Sequence, residues 1–400
     1  MKNSISRSLF PFILIISLTN NLVAESWSEL GGLDSLHVNA TIVSVFNDDS
    51  GNTYAGGYFQ NSIGNHYVAK YDGISWNELG GLNNLAANSG ITTICEDSIG
   101  NIYAAGGFTN SMGNAYVAKY NGTSWSELGG LNSLAANNGI MSVCKDAAGN
   151  IYAAGWFTNI SGNNYVAKYD GTVWSELGGL NGLGANFQIF SICSDTMGNI
   201  YAAGVFTNDS NKFYVAKYDG TNWNELCGLN GLNANLAIYA LYSDMTGNIY
   251  AGGNFTNSAG NKYVAKFDGT FWSELGGSNS LSANYGIKSI CGDGAGNIYV
   301  GGGFTNSSNN NYVAQFNGIS WNEVGGLNGL AGNNSILSVF ADATGNIYAA
   351  GGFENGNGYK YVARYSTVTN NQPQKNLEPF YLMPNPCIFS QIVTTFSPYT

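Results

Sequence analysis

The chain is poor in most of what catalysis and nucleic-acid binding need. Its 400 residues hold only two histidines, His37 and His66, at positions of a repeat where other copies carry residues such as Ala, Asn or Lys. No HExxH, no paired CxxC and no Gly-rich loop leading into a helix is present, so zinc hydrolysis and phosphate cradling have no motif to rest on. No cofactor and no metal are expected. Charged residues make up 10% of the chain, and the net charge of −11 becomes −13 if Lys2 and Arg7 leave with an N-terminal leader. No basic patch offsets that charge, which argues against nucleic acid or an anionic membrane surface as partner. Past the N-terminal leader, the apolar runs are too short for a packed helix.

What is present is one unit repeated. Trp27, Trp76, Trp125, Trp174, Trp223, Trp272 and Trp321 stand 49 residues apart without a slip, and a period of that size marks a solenoid, propeller or array. Within one unit, Ile91 to Cys95, Ile102 to Phe108, Ala115 to Tyr120 and Ser124 to Leu128 are short runs of β-favouring residues. Asp97 to Asn101, Asn110 to Asn114 and Asn121-Gly122 between them supply the Gly and Asn of tight hairpins. Four strands and three hairpins make a propeller blade, and Gly129 to Gly139 then carries the chain from the outermost strand to the innermost strand of the next blade. The first copy lacks three strands and the last lacks one. Together they complete a blade, so the expected fold is an all-β, seven-bladed propeller over 25–365, closed by the N-terminal strand. An apolar content of 44% with 14% aromatics is ample for its core.

The motif Ile102-Tyr-Ala-Ala-Gly-Gly-Phe108, followed by Val117, Tyr120, Trp125 and Leu128, resembles the Kelch repeat, whose family fold is a propeller. The likeness covers residues 27 to 365. Tyr58, Trp156, Val205 and Asn254 replace the second Gly of the doublet, so the repeats are Kelch-like and not standard members. The family includes scaffolds, surface proteins and a copper oxidase lineage, and the His and Tyr ligands of the last are not here in number.

Residues 1–24 are expected to be a signal peptide: Lys2 and Arg7 precede an apolar run from Leu9 to Leu18, too short to span a bilayer well, and Ala24 ends the segment. Export follows, with no stable membrane insertion once the leader is gone. Residues 366–379 are polar and read as a linker. From about 380, Leu382-Met-Pro-Asn-Pro386 and Val393-Thr-Thr-Phe396 resemble the opening of the C-terminal sorting domain of the type IX secretion system, which implies surface delivery and a truncated domain. Cys95, Cys144, Cys193 and Cys291 share one repeat position with Phe46, Tyr242 and Phe340, and are expected to be apolar filler and not disulfides.

Acids recur in every copy. Asp48, Asp97, Asp146, Asp195, Asp244, Asp293 and Asp342 each open an Asp-x-x-Gly-Asn turn, and Glu29, Glu78, Glu127, Glu176, Glu225, Glu274 and Glu323 each follow a repeat Trp by two. A residue needed in all seven copies serves the blade, so the Asp is expected to cap its turn and the Glu to pair with Lys119 and its equivalents. Function is better sought where copies differ. The second Gly position reads Tyr58, Gly107, Trp156, Val205, Asn254, Gly303 and Gly352, and adjoins the hairpin carrying Asn61, Asn110, Asn159, Asn208, Asn257, Asn306 and Asn355. Tyr58 and Trp156 beside those amides suit a sugar, which stacks its ring face and hydrogen-bonds its hydroxyls. The plainer alternative is that Trp156 fills a gap between blades and each Asn holds its own hairpin.

The expected function is that of an exported, non-enzymatic, monomeric propeller that binds a glycan or a surface protein. The alternatives are a carbohydrate-active enzyme with acids in the central channel, or a purely structural or adhesive surface protein.

Overall fold

In the computed structural model, described over residues 25–366 apart from 180–181 and 229–230, the repeat folds as seven four-stranded antiparallel sheets. Blade 1 runs from Ile42 to Glu78, and each later blade starts 49 residues on, so that blade 7 begins at Ile336. In blade 2 the strands are Ile91–Glu96, Ile102–Gly106, Ala118–Tyr120 and Trp125–Glu127. The third is shorter than its apolar residues suggest, because Ala115 leaves the ladder to bridge Thr109 and Ala136. The second is buried along its whole length. Neighbouring blades press on both its faces, hence its run of small and β-branched residues.

The ring closes as the fragment count requires. Ser26–Glu29 pairs antiparallel with Ala363–Ser366, Trp27 opposite Tyr365, and is the outer strand of blade 7. It covers the edge that Ala363–Ser366 would otherwise present. The leader, the linker and the sorting-domain segment lie outside the described residues.

Two sets of hydrogen bonds join the blades. At the outside, the indole N–H of each repeat Trp donates to a backbone carbonyl of the preceding blade, as Trp125 does to Leu79 at 3.0 Å and Trp27 to Val324 at 2.9 Å. Trp272 is the exception, its indole nitrogen buried without a partner. At that seam Cys227, at φ 72°, takes the place of a glycine. On the inside, hydroxyls of Ser44, Thr93, Ser142, Ser191, Ser289 and Ser338 each accept an inner-strand N–H of the following blade. Ala240 stands at the seventh position and offers none.

The repeated acids are engaged in the frame. Asp146 accepts the backbone N–H groups of Ala148 and Asn150 on one oxygen, and the Asn150 amide and Tyr152 hydroxyl on the other. The Glu does not meet the lysine. Successive strand residues face opposite sides, and the register sets Glu127 opposite Ala118 and Lys119 opposite Ser126. Lys119 instead lies over the Tyr103 ring, while Glu127 accepts from the Asn110 amide at 3.2 Å. Cys95, Cys144, Cys193 and Cys291 are free thiols packed in apolar clusters between blades. Burial pushes the Cys95 thiol up to about 12.

Candidate functional site

The Gly doublet explains where the copies are free to differ. A Cβ on Gly106 would run into the backbone carbonyl of Gly90, and the same clash recurs at Gly57, Gly155 and Gly204 with Thr41, Gly139 and Gln188. At the second position a Cβ on Gly107 or Gly352 would meet only the side chains of Ser89 or Asn334, at 3.0 and 3.2 Å. The first glycine is needed by the blade. The second is not, and its variation is free to serve something else.

Side chains at that second position reach over to the next blade. The Tyr58 ring lies against Gly90, and Asn254 against Gly286, in each case the residue leading into the next inner strand. Tyr58 is 52% exposed and Trp156 44%, so neither is core filler. The Trp156 backbone N–H donates to the Gly139 carbonyl at 2.9 Å, which fixes the indole at the end of the ring where the inner strands begin.

The seven asparagines sit further out and are occupied. Asn159 accepts the backbone N–H groups of Ser161 and Asn163 on its amide oxygen and donates its amide to Glu176 at 3.2 and 3.1 Å. Asn61, Asn110, Asn208, Asn257, Asn306 and Asn355 bond Glu78, Glu127, Glu225, Glu274, Glu323 and Glu29 in the same way. Each locks a hairpin to the outer strand. The structure thus separates the two halves of the expected constellation: the aromatics reach the channel mouth and the asparagines hold the rim.

A second varied set lies at the mouth itself. Every inner strand carries a bulge one residue from its start, and bulges re-aim the side chain they free. The residues there are Val43, Thr92, Met141, Phe190, Tyr239, Lys288 and Leu337. They touch across blade boundaries. Phe190 and Tyr239 have ring centroids 5.6 Å apart, the Lys288 ammonium lies 3.5 Å from the centroid of Tyr239, and the Asn254 amide donates to the Tyr239 hydroxyl at 2.9 Å. Burial holds the Lys288 ammonium below the ordinary lysine value. Exposed Phe187, Leu236 and Tyr285, each three residues ahead of a bulge, add apolar surface at the same end. Blades 3 to 6 therefore share a polar-aromatic patch that breaks the sevenfold symmetry. Reading the seven inner strands in register would have found it, because one column varies through seven residue types beside columns nearly constant in Ile and Ser.

At the opposite end one acid stands apart. Burial, then Asp48 and Asp49, pushes the Glu96 carboxyl up to about 6. No group of three or more His, Cys, Asp or Glu among the described residues is placed to hold a metal ion.

No protein-family model and no curated protein matches this chain. Solved structures share its fold. The extracellular domain assigned to a hybrid two-component system from B. thetaiotaomicron aligns at 15% identity over 86% of this chain and 41% of its own, with a TM-score of 0.57. A catalytically inactive virginiamycin B lyase from Staphylococcus aureus aligns at 12% over 86% of this chain and 99% of its own, at 0.56. PorZ, a surface component of the type IX secretion system of Porphyromonas gingivalis, aligns at 14% over 87% of this chain and 49% of its own, at 0.54. This chain spans less than half the length of the sensor and secretion-component chains. At these identities the likeness establishes a seven-bladed propeller and nothing finer. A sensor, an enzyme and a secretion component on one fold show why function has to be argued from the site.

Proposed function

We propose that this chain is an exported, non-enzymatic binding module that takes a glycan of a cell surface at the channel mouth. The observation that carries the reading is the asymmetric aromatic patch on a symmetric frame: Trp156, Phe190, Tyr239 and Tyr285 occupy positions where most other copies have no aromatic ring. Exposed Trp156 and Tyr285 and the part-buried Phe190 and Tyr239, beside one amide, suit sugar stacking with a few directed hydrogen bonds. Engagement of both repeated acid sets in hairpins favours binding over hydrolysis, since a general acid and base need carboxyls free to reach substrate. The leader and the Pro-Asn-Pro tail support export by the type IX route. Among the described residues no helix is long and apolar enough to cross a membrane.

The test is a glycan array on the purified protein, followed by titration of the best ligand against Trp156→Ala. Loss of about 1 to 3 kcal/mol of binding with little change in melting temperature is expected of a recognition hot spot. A parent protein that binds no glycan refutes the reading. One observation favours the catalytic alternative: the raised carboxyl of Glu96 is the kind a general acid uses. Polysaccharide cleavage that Glu96→Gln abolishes and Trp156→Ala spares would establish it.

A further inference from the structure

Six of the seven bulge residues at the mouth are uncharged, and Lys288 is the seventh. Its ammonium lies over the Tyr239 ring. Among the described residues no carboxylate pairs with it. An ammonium drawn from water and given an aromatic face is only partly compensated by the ring, which leaves room for an anion from outside. A second cation belongs to the same seam. Lys262, on the hairpin of blade 5, donates to the Asn284 carbonyl at 3.3 Å, four residues ahead of Lys288, and among the described residues it too has no acidic partner. Lys360, at the matching hairpin position of blade 7, is by contrast neutralised by Glu354 at 2.6 Å. In a chain of net charge −11, two unneutralised lysines beside exposed Tyr285 run against the overall balance.

We propose that the blade 5 and blade 6 side of the mouth seats the acidic group of an anionic saccharide, a carboxylate or sulfate held by Lys288 and Lys262. The inference rests on the glycan-binding reading and narrows it to acidic sugars. The strongly acidic remainder of the ring repels polyanions that do not present their charge at this seam, so specificity follows from position.

Calorimetric titration of the purified full chain with oligogalacturonate, chondroitin sulfate oligosaccharide and a neutral cello-oligosaccharide tests it, on the parent and on Lys288→Met. Met141 holds the equivalent place in blade 3, so the variant keeps a side chain the frame already accommodates, and an unchanged thermal melt verifies the fold. The expected result is binding of one acidic oligosaccharide that exceeds the neutral one and falls roughly tenfold to a hundredfold in Lys288→Met, as for a hydrogen bond to a charged group. Oligogalacturonate alone assigns a carboxylate; a requirement for chondroitin sulfate assigns a sulfate. If the neutral sugar binds equally well and is lost in Trp156→Ala but not in Lys288→Met, the glycan reading stands and the acidic inference falls. If no saccharide binds, both fall. Tight binding of an acidic peptide in place of any sugar also overturns the proposal.

Discussion

The two ends of the ring are made by the same seven copies and differ in how far those copies agree. At the Asp-turn end every blade repeats one arrangement: a carboxylate that accepts two backbone N–H groups, an Asn amide and a Tyr hydroxyl, as in Asp97, Asp146 and Asp195. At the mouth the same strand ends carry Gly or Trp, Lys or Val, Thr or Tyr. The contrast separates what the blade requires from what it merely permits. A position that recurs seven times closes a hydrogen bond or fits a steric limit; one that varies while its neighbours hold is released from the fold and open to selection by a ligand.

Ring closure offers the largest break. Deleting residues 25–30 removes the outer strand of blade 7, the buried Leu30 and the Trp27 indole bond to Val324. It leaves the Ala363–Ser366 strand as an open edge. Loss of the cooperative thermal transition and aggregation on size exclusion are expected, and an unchanged melt would refute the shared blade.

Next in size is the symmetric end itself. Asp146→Ala strands the Tyr152 hydroxyl and the Asn150 amide and should cost ~1 to 3 kcal/mol in denaturant titration. The same carboxylates make the ring acid-sensitive. Burial pushes Asp97, Asp146, Asp244 and Asp342 up, but the bonds from Asn, Tyr or Thr side chains and the turn backbone bring them below the ordinary Asp value. A carboxyl depressed in the fold contributes stability above its unfolded value, near 3.9, and loses it as pH falls through the folded value. Stability should therefore drop below about pH 4. Glu96 works the other way, since its carboxyl is raised to about 6. Glu96→Gln should then stabilise the ring at pH 7 and do nothing at pH 4, which paired melts at the two pH values would show.

The mouth gives a smaller stability effect and thereby sharpens the comparison. Trp156→Ala removes a ring that is 44% exposed, so its cost should be about 1 kcal/mol, against the ~3 to 5 of a core indole. A large fall in melting temperature would return Trp156 to the frame.

Much of the frame was legible because it repeats. Blade number, closure and the Asp turns follow from spacing, fragment count and local turn chemistry. The partner of the repeated Glu was misread because Lys119 is near in sequence and opposite in charge, whereas the alternating pleat sends the two side chains to different faces and the Asn110 hairpin folds over the Glu. The role of the repeat Trp was also hidden, since its bond crosses to another blade 46 residues away. Trp156 and Tyr58 were visible as departures in the Gly doublet. Lys288, Tyr239 and Phe190 were not singled out because an inner strand reads as core, and only the bulge shows that one of its residues turns to the channel mouth.

A further small effect tests whether symmetry at the inner ring is structural in the sense argued. Six hydroxyls stitch each inner strand to the next, and the seam between blades 5 and 6 lacks the seventh because residue 240 is Ala. The N–H of Ile290 occupies the place that Ile94 and Val339 give to Ser44 and Ser289. Ala240→Ser adds one oxygen at a site that accepts it in the other blades, and should stabilise the ring by ~0.5 to 1.5 kcal/mol, with Ser191→Ala costing a similar amount. The same seam carries Lys288 and Lys262. If Ala240→Ser raises the melting temperature and leaves saccharide binding unchanged, the missing hydroxyl is a defect of the frame alone. If it raises stability while weakening binding, looseness at this seam belongs to the site, and the symmetric and asymmetric parts of the ring are coupled there.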